Sequence, residues 1–140
     1  MLDAMISFDR ERNLAPPALR HYMAARPDLR GWLQKCAKEE KIADIESYFG
    51  AYPLKLKKQG PRAYLAVPAW FCSPMHGGQT TTFWVMEEAR GGGYRELLSY
   101  ASAYLEVMNH VSHGYRDIGV NDQANTPPTR LRYDGKSYAR

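Results

Sequence analysis

Apolar residues in the first third of the chain recur at the spacing of an α-helix. Pro16 and Pro17 open a short helical pattern, and after Pro27 a second pattern places its apolar residues at i, i+3, i+4, i+7 and i+8. A third apolar set keeps helical spacing over residues 42–49. We therefore expect a helical layer over residues 16–50. Residues 1–15 lack a clear period and are predicted to form an N-terminal arm.

Beyond residue 53 the apolar period changes from about 3.6 to 2, which is typical of β-strands. Leucines alternate with lysines at 54–57, and short alternating runs continue to the C-terminus. The aperiodic run at 72–80 is predicted to be the longest internal loop. The pattern predicts an α+β fold, with N-terminal helices packed on a meandering antiparallel sheet of six or seven short strands over residues 54–140. Residues 16–140 are expected to form a single α+β domain.

One short segment occurs twice in the strand-rich part. The sequence GGYRELLS at 92–99 and the sequence HGYRDIGV at 113–120 share glycine, tyrosine, arginine, an acid and an aliphatic residue in the same order. Glycine readily adopts backbone dihedrals that other residues avoid. We interpret the two copies as similarly built antiparallel strands, each entered from a tight turn. The pair Asp134-Gly135 is predicted to form a two-residue hairpin turn.

Composition and charge narrow the classes of function. The 140 residues are 44% hydrophobic and 24% charged, which is typical of a globular domain with one core. The net charge of +4 is compatible with nucleic acid, but Lys and Arg are scattered along the chain. The tightest group, Lys55, Lys57 and Lys58, is interpreted as the solvent side of one strand. This distribution disfavours nucleic-acid binding. No apolar run approaches the ~20 residues that span a bilayer, so membrane insertion is not expected.

Whether the two cysteines can form a disulfide depends on the cellular compartment of the protein. The first residues carry acids and arginines where a signal peptide would place its apolar segment. We expect a periplasmic or secreted location if a leader was removed, and a cytoplasmic location otherwise. In an exported protein, Cys36 and Cys72 could form a disulfide. Alternatively, Cys36 is a small hydrophobic residue on the apolar face of its helix.

A metal or catalytic site is the second possibility that the residues offer. Thiolate and imidazole are suitable zinc ligands, but the spacing of the candidates is not that of a zinc finger. The four candidate ligands are Cys72, His76, His110 and His113. A nucleophilic arrangement of Cys72, His113 and Asp117 can be named, although their spacing does not place them together. No phosphate-binding or dinucleotide-binding motif occurs, so no cofactor is expected.

Aromatic residues provide the strongest indication of a binding surface. In the adjacent pairs at 70–71 and 83–84, one member of each pair on a strand faces away from the core. Outward Trp and Tyr side chains are typical anchors of protein interfaces. Together with the 72–80 loop, they define the candidate surface. The candidate binding residues are Trp70, Phe71, Met75, His76, Trp84, Tyr94 and Tyr115.

The sequence therefore favours a non-enzymatic binding protein that engages another protein, as an inhibitor or immunity-type protein does. Its oligomeric state is left open. One alternative is a small zinc-dependent or hydrolytic enzyme that uses the four cysteine and histidine candidates. Another is a cytoplasmic nucleic-acid or regulatory binder.

Four short motifs carry a resemblance to known proteins. They are FC-loop-FWVM at 71–86, GYRELL at 93–98, HGYRDI at 113–118 and RYDGKSY at 132–138. In these residues the chain resembles a loosely defined group of small exported bacterial proteins of unknown function. The resemblance covers roughly the last seventy residues. It implies an exported α+β domain with a meandering antiparallel sheet, and it implies no established activity.

Overall fold

Two helices lie in the N-terminal part of the protein. The computed structural model describes residues 5–7, 13–41, 49–68, 76–77, 80–102, 104–121 and 127–140. Helix α1 spans Pro17–Ala24 and helix α2 spans Pro27–Glu40. Both begin with proline in the first turn, where its missing amide hydrogen costs nothing. Lys41 caps the C-terminus of helix α2 and has a left-handed φ of 56°.

Strands make up most of the remaining described chain, and all of their pairings are antiparallel. The strands are β1 (Met5–Ser7), β2 (Asn13–Leu14), β3 (Phe49–Leu54), β4 (Ala63–Pro68), β5 (His76–Gly77), β6 (Thr80–Glu88), β7 (Tyr94–Ser102), β8 (Tyr104–Ser112), β9 (Tyr115–Asn121), β10 (Thr129–Tyr133) and β11 (Tyr138–Ala139). One sheet, here called the inner sheet, has the order β2-β3-β4-β6-β7, and β5 pairs with the start of β6. The other, the outer sheet, has the order β1-β8-β9-β10-β11.

The α+β class and the antiparallel meanders are confirmed, but the prediction of a single sheet is wrong. Strands β7 and β8 are consecutive in the chain and belong to different sheets. The buried Ser102 hydroxyl stabilises this crossing, because it accepts the Asn121 N–H at 2.7 Å and lies 2.7 Å from the Tyr104 carbonyl oxygen. The protein is therefore layered as helices, inner sheet and outer sheet.

Two apolar cores separate these three layers. The helix-side core lies between the helices and the inner sheet and includes Leu19, Met23, Leu33, Phe49, Trp84 and Met86. The inter-sheet core lies between the two sheets and includes Leu65, Phe83, Val85, Leu105, Ile118 and Val120. The inner sheet is thus covered on both faces. This explains why the neighbours Phe83 and Trp84 are both buried, one in each core.

The boundary between helical and extended chain differs from the prediction. Phe49 and Gly50 begin strand β3, so the predicted helical layer is wrong at its end. A short apolar run does not distinguish helix from strand by its period alone. Residues 42–48 lie outside the described part. Within the stretch predicted to be an arm, β1 pairs with β8 and β2 pairs with β3.

The final hairpin forms where it was predicted, but its turn is longer. Tyr133 is paired with Tyr138, so four residues connect the strands rather than two. The Asp134 carboxylate accepts the backbone N–H groups of Ser137 and Lys136, which lowers the pKa of Asp134. Gly135 has a φ of 105°, a conformation that glycine adopts readily.

Candidate functional site

The two copies of the repeated segment begin two strands in different sheets. Strand β7 starts at Tyr94, directly after Gly93, whose φ is 79°. Strand β9 starts at Tyr115, directly after Gly114, whose φ is 83°. The predicted strained glycine before each strand is therefore confirmed.

The copies meet at the carboxylate of Glu87, which is only 4% exposed. Arg95 of the first copy places Nη2 at 2.9 Å from Glu87 Oε1. Tyr115 of the second copy donates its hydroxyl hydrogen to this carboxylate, 2.7 Å from Oε2 and 2.9 Å from Oε1. Arg95 Nη1 also donates to the Lys136 carbonyl oxygen at 3.2 Å. The buried negative charge is thus matched by a cation and a neutral donor.

This cluster changes the protonation behaviour of its members. Burial, together with the hydrogen bond to Glu87, raises the pKa of the Tyr115 hydroxyl. The hydrogen bond to Glu87 is the largest cause that raises the pKa of Arg95. Tyr115 therefore stays protonated and Arg95 stays charged over the whole neutral range. The three side chains act as a structural link between the sheets.

The Tyr115 ring of this cluster contacts the Tyr133 ring at a tilted angle, and Tyr133 contacts Tyr138 in the same way. The ring centroids of Tyr115 and Tyr133 are 3.9 Å apart, and those of Tyr133 and Tyr138 are 5.6 Å apart. The Tyr138 hydroxyl donates to the Arg116 carbonyl oxygen at 2.7 Å. All three tyrosines are buried. The expectation that Tyr115 contributes an exposed ring to a binding surface is therefore wrong.

A cavity of about 600 Å³ opens beside this cluster, in the loop between β3 and β4. Residues 53–63 and Glu87 line it. The loop is held in place because the Arg116 N–H donates to the Leu56 carbonyl oxygen at 2.8 Å and the Glu88 N–H donates to the Arg62 carbonyl oxygen at 2.9 Å. Its backbone position is therefore fixed by strands from both sheets.

The same loop carries a concentration of positive charge. Lys55, Lys58 and Arg62 are exposed, and Lys57 Nζ lies 4.8 Å from the centre of the Tyr115 ring. These lysines lie in a loop, because β3 ends at Leu54, so their interpretation as one side of a strand is wrong. We call this surface the basic end, and its residues are Lys55, Lys57, Lys58, Arg62, Arg95 and Lys136.

A second polar cluster lies on the solvent face of the outer sheet. Asp117, which is fully buried, accepts the Ser112 hydroxyl at 2.8 Å through Oδ1. Its Oδ2 lies 3.0 Å from His110 Nδ1 and 2.9 Å from Arg130 Nε. The His110 side chain is 58% exposed and the Arg130 side chain is 40% exposed. One carboxylate from β9 thus orients side chains from β8 and β10.

The contact with Asp117 assigns the tautomer of neutral His110. Nδ1 carries the hydrogen that points to the carboxylate, which leaves a lone pair on Nε2. Neither His110 Nε2 nor the Nη groups of Arg130 have a hydrogen-bond partner among the described residues. The cluster therefore presents a proton acceptor and a proton donor to solvent.

The remaining histidine and cysteine candidates do not join this cluster. His113 is exposed in the turn after β8, with a φ of 51°, and the histidine that contacts Asp117 is His110. Within the described side chains, no three His, Cys, Asp or Glu residues are placed to bind a metal ion. Cys72 lies outside the described residues, as does the side chain of His76. Cys36 is fully buried in the helix-side core, and its bond with Cys72 remains a prediction.

The predicted aromatic surface is only partly described. Trp84, a predicted binding residue, is 2% exposed because helices cover that face of the inner sheet, so the expectation that its ring faces outward is wrong. Tyr94 is half-buried and makes an edge contact with Tyr22, with ring centroids 5.6 Å apart. Trp32, which the helical pattern placed on the apolar face, is 43% exposed. The other aromatic and sulfur-containing candidates, Trp70, Phe71 and Met75, lie outside the described residues.

Sequence reasoning did not single out Glu87 or pair Asp117 with His110. The available signal was an acid within an apolar strand, since Glu87 follows the run FWVM and Asp117 precedes Ile118. Acids that are buried in strands are usually paired.

Comparisons of the chain with protein-family models, with curated proteins and with solved structures give no match. The resemblance to small exported bacterial proteins therefore remains a prediction. No helix in the described part of the chain combines the length and the apolar character needed to cross a membrane.

Proposed function

We propose that the protein is a non-enzymatic binding protein that recognises an acidic segment of another protein through the basic end. The observation that carries this proposal is the cavity of about 600 Å³ surrounded by Lys55, Lys58 and Arg62. Among the described lining residues Glu87 is the one carboxylate, and it is already matched by Arg95 and Tyr115. Within this described lining, the cavity therefore offers positive charge that no carboxylate matches to a negatively charged partner.

The loop is suited to this role because its backbone is ordered before a partner binds. Hydrogen bonds from Glu88 and Arg116 hold it at two points, and Lys57 is positioned over the Tyr115 ring. Preorganisation lowers the entropy cost of association. Complementary charge also raises the association rate and favours acidic partners over others.

A protein partner fits this surface better than a nucleic acid. Proteins that bind single strands stack bases on exposed aromatic rings. At the basic end, Tyr115, Tyr133 and Tyr138 are buried and contact one another. The exposed charged groups are the amines of lysines and the guanidinium groups of Arg62 and Arg95, which suit carboxylate side chains. An inhibitor or immunity-type protein would use such a surface on an acidic target.

The test measures fluorescence anisotropy of a labelled oligoglutamate peptide. The double variant Lys58→Gln/Arg62→Gln should weaken binding roughly tenfold, since each exposed ion pair contributes up to about 1 kcal/mol. The matched control is Lys35→Gln/Lys38→Gln, which removes the same charge from the exposed face of α2. We expect the control to change affinity less than twofold.

Three results would contradict the proposal. The wild type could fail to bind the peptide, or both double variants could weaken binding equally, which would indicate net charge alone. A single-stranded oligonucleotide of equal charge could bind more tightly than the peptide, with a steep salt dependence. That result would instead favour a nucleic-acid binder.

A second candidate function, a small hydrolytic enzyme, is favoured by one observation. His110, one of the four predicted candidates, is oriented by the buried Asp117. This observation supports a hydrolytic site that does not require Cys72, His76 or His113.

A further inference from the structure

The cluster at Asp117 combines the two groups that attack on a carbonyl carbon requires. General-base catalysis needs a proton acceptor whose lone pair is directed at water, and His110 Nε2 has this lone pair when Nδ1 contacts a carboxylate. The negative charge that develops on the carbonyl oxygen needs a donor, and the Nη groups of Arg130, whose side chain is 40% exposed, are donors. Both side chains are fixed by the same oxygen, Asp117 Oδ2.

We propose that this cluster is a hydrolytic site for small carboxylic esters, with His110 as general base and Arg130 as the donor to the oxyanion. The side chains of His110 and Arg130 are 58% and 40% exposed, so the site offers contacts to the reacting carbonyl rather than a deep pocket for an acyl chain. Small activated esters are therefore the expected substrate class. The site is separate from the basic end, and each proposal can fail without the other.

The reaction balances without a cofactor. His110 Nε2 accepts a proton from water while the water oxygen forms a bond to the carbonyl carbon. The carbonyl oxygen becomes an oxyanion and accepts hydrogen bonds from Arg130. When the tetrahedral species collapses, the bond to the alkoxy oxygen breaks, and His110 returns the proton to the leaving alcohol. The products are the carboxylic acid and the alcohol.

Asp117 and Ser112 do not contact the substrate in this scheme, and they are positioning residues. Asp117 fixes the tautomer and orientation of His110 and stabilises the imidazolium that forms. Ser112 donates to Asp117 Oδ1 at 2.8 Å, which leaves Oδ2 to His110 and Arg130. Because the Ser112 hydroxyl is directed at Asp117, it is not activated as a nucleophile.

The experiment follows the release of nitrophenolate from p-nitrophenyl acetate. His110→Gln should lower kcat/KM by about a hundredfold, which is the lower end of the contribution of a general base. The matched control is His113→Gln, since His113 is an exposed histidine in the adjacent turn. We expect less than a twofold change for the control. The wild type should also show a normal solvent deuterium isotope effect on kcat.

The positioning role of Asp117 is tested by measuring kcat and KM separately. Asp117→Asn should lower kcat and leave KM unchanged, because it disturbs His110 and Arg130, which act in the transition state, and not the binding of the ester. Circular dichroism establishes whether this variant is folded. If it is not, Ser112→Ala provides the same comparison with a smaller effect.

The proposal is overturned by any of three results. The wild type could hydrolyse the ester no faster than an equal concentration of free imidazole. His110→Gln and His113→Gln could lower the rate equally, which would indicate unspecific surface histidines. The isotope effect could be absent, which would indicate direct attack by the imidazole.

Discussion

The Tyr115 hydroxyl lies 2.7 Å from Oε2 of Glu87, and this contact joins the outer sheet to the inner sheet. Arg95 reaches the same carboxylate from strand β7. The repeated segment thus supplies an arginine from its first copy and a tyrosine from its second copy. The repetition has a structural reason, because two strands of the same design meet from opposite sheets.

Tyr115→Phe should destabilise the protein by about 1–3 kcal/mol, because it leaves a buried carboxylate oxygen without its donor. Urea unfolding measures the free energy of unfolding. The control is Tyr100→Phe, since Tyr100 contacts Phe83 through its ring and its hydroxyl has no hydrogen-bond partner among the described residues. The control should stay within about 0.5 kcal/mol of the wild type. Equal losses in both variants would contradict a specific role for the contact.

Stability should fall at alkaline pH. Burial raises the pKa of Tyr138 and, with the hydrogen bond to Glu87, the pKa of Tyr115. Above about pH 10 the unfolded chain loses these protons while the folded protein keeps them, so the free energy of unfolding decreases as pH rises. Below about pH 9 the tyrosines contribute no pH dependence. Urea unfolding between about pH 9 and pH 11 should show a shallower decrease for Tyr115→Phe than for the wild type. An identical slope would contradict the pKa assignment.

Local patterns predicted the two helices and many of the strands, but not how the strands assemble into sheets. Each Gly-Tyr pair correctly predicted the start of a strand. Whether β7 and β8 share a sheet depends on contacts between distant residues, such as Ser102 with Asn121. The spacing of apolar residues along the chain does not reveal such contacts, so it does not show which strands share a sheet.

The aromatic prediction failed for a related reason. It assumed a sheet with one solvent face, so that either Phe83 or Trp84 had to point outward. The run FWVM consists entirely of apolar residues, a pattern typical of strands buried on both faces. The two polar clusters could not be predicted from the sequence, because Glu87 and Asp117 each contact side chains from two other strands.

The glycines before the repeated tyrosines should be difficult to replace. Gly93→Ala and Gly114→Ala should each cost about 1–2 kcal/mol, because their φ angles of 79° and 83° are unfavourable for residues with a Cβ atom. Gly31→Ala is the matched comparison, since Gly31 lies within α2 and an added Cβ would meet no atom within 4 Å. It should stabilise the protein by about 0.5–1 kcal/mol. Thermal and urea unfolding of the three variants test this difference in sign, and a stabilising Gly93→Ala or Gly114→Ala would contradict it.

The final prediction is that a disulfide between Cys36 and Cys72 stabilises the packing of helix α2. Cys36 is fully buried between α2 and the inner sheet, and Cys72 is the second of two cysteines in the chain. Under non-reducing conditions we expect a mass lower by two hydrogens and no alkylation of either thiol. Reduction should lower the free energy of unfolding by roughly 3–4 kcal/mol. The Cys36→Ala/Cys72→Ala variant separates the cross-link from thiol chemistry, because it should be insensitive to reductant. Alkylation of Cys72 in the native, unreduced protein would show instead that Cys36 packs without this bond, as a small hydrophobic residue.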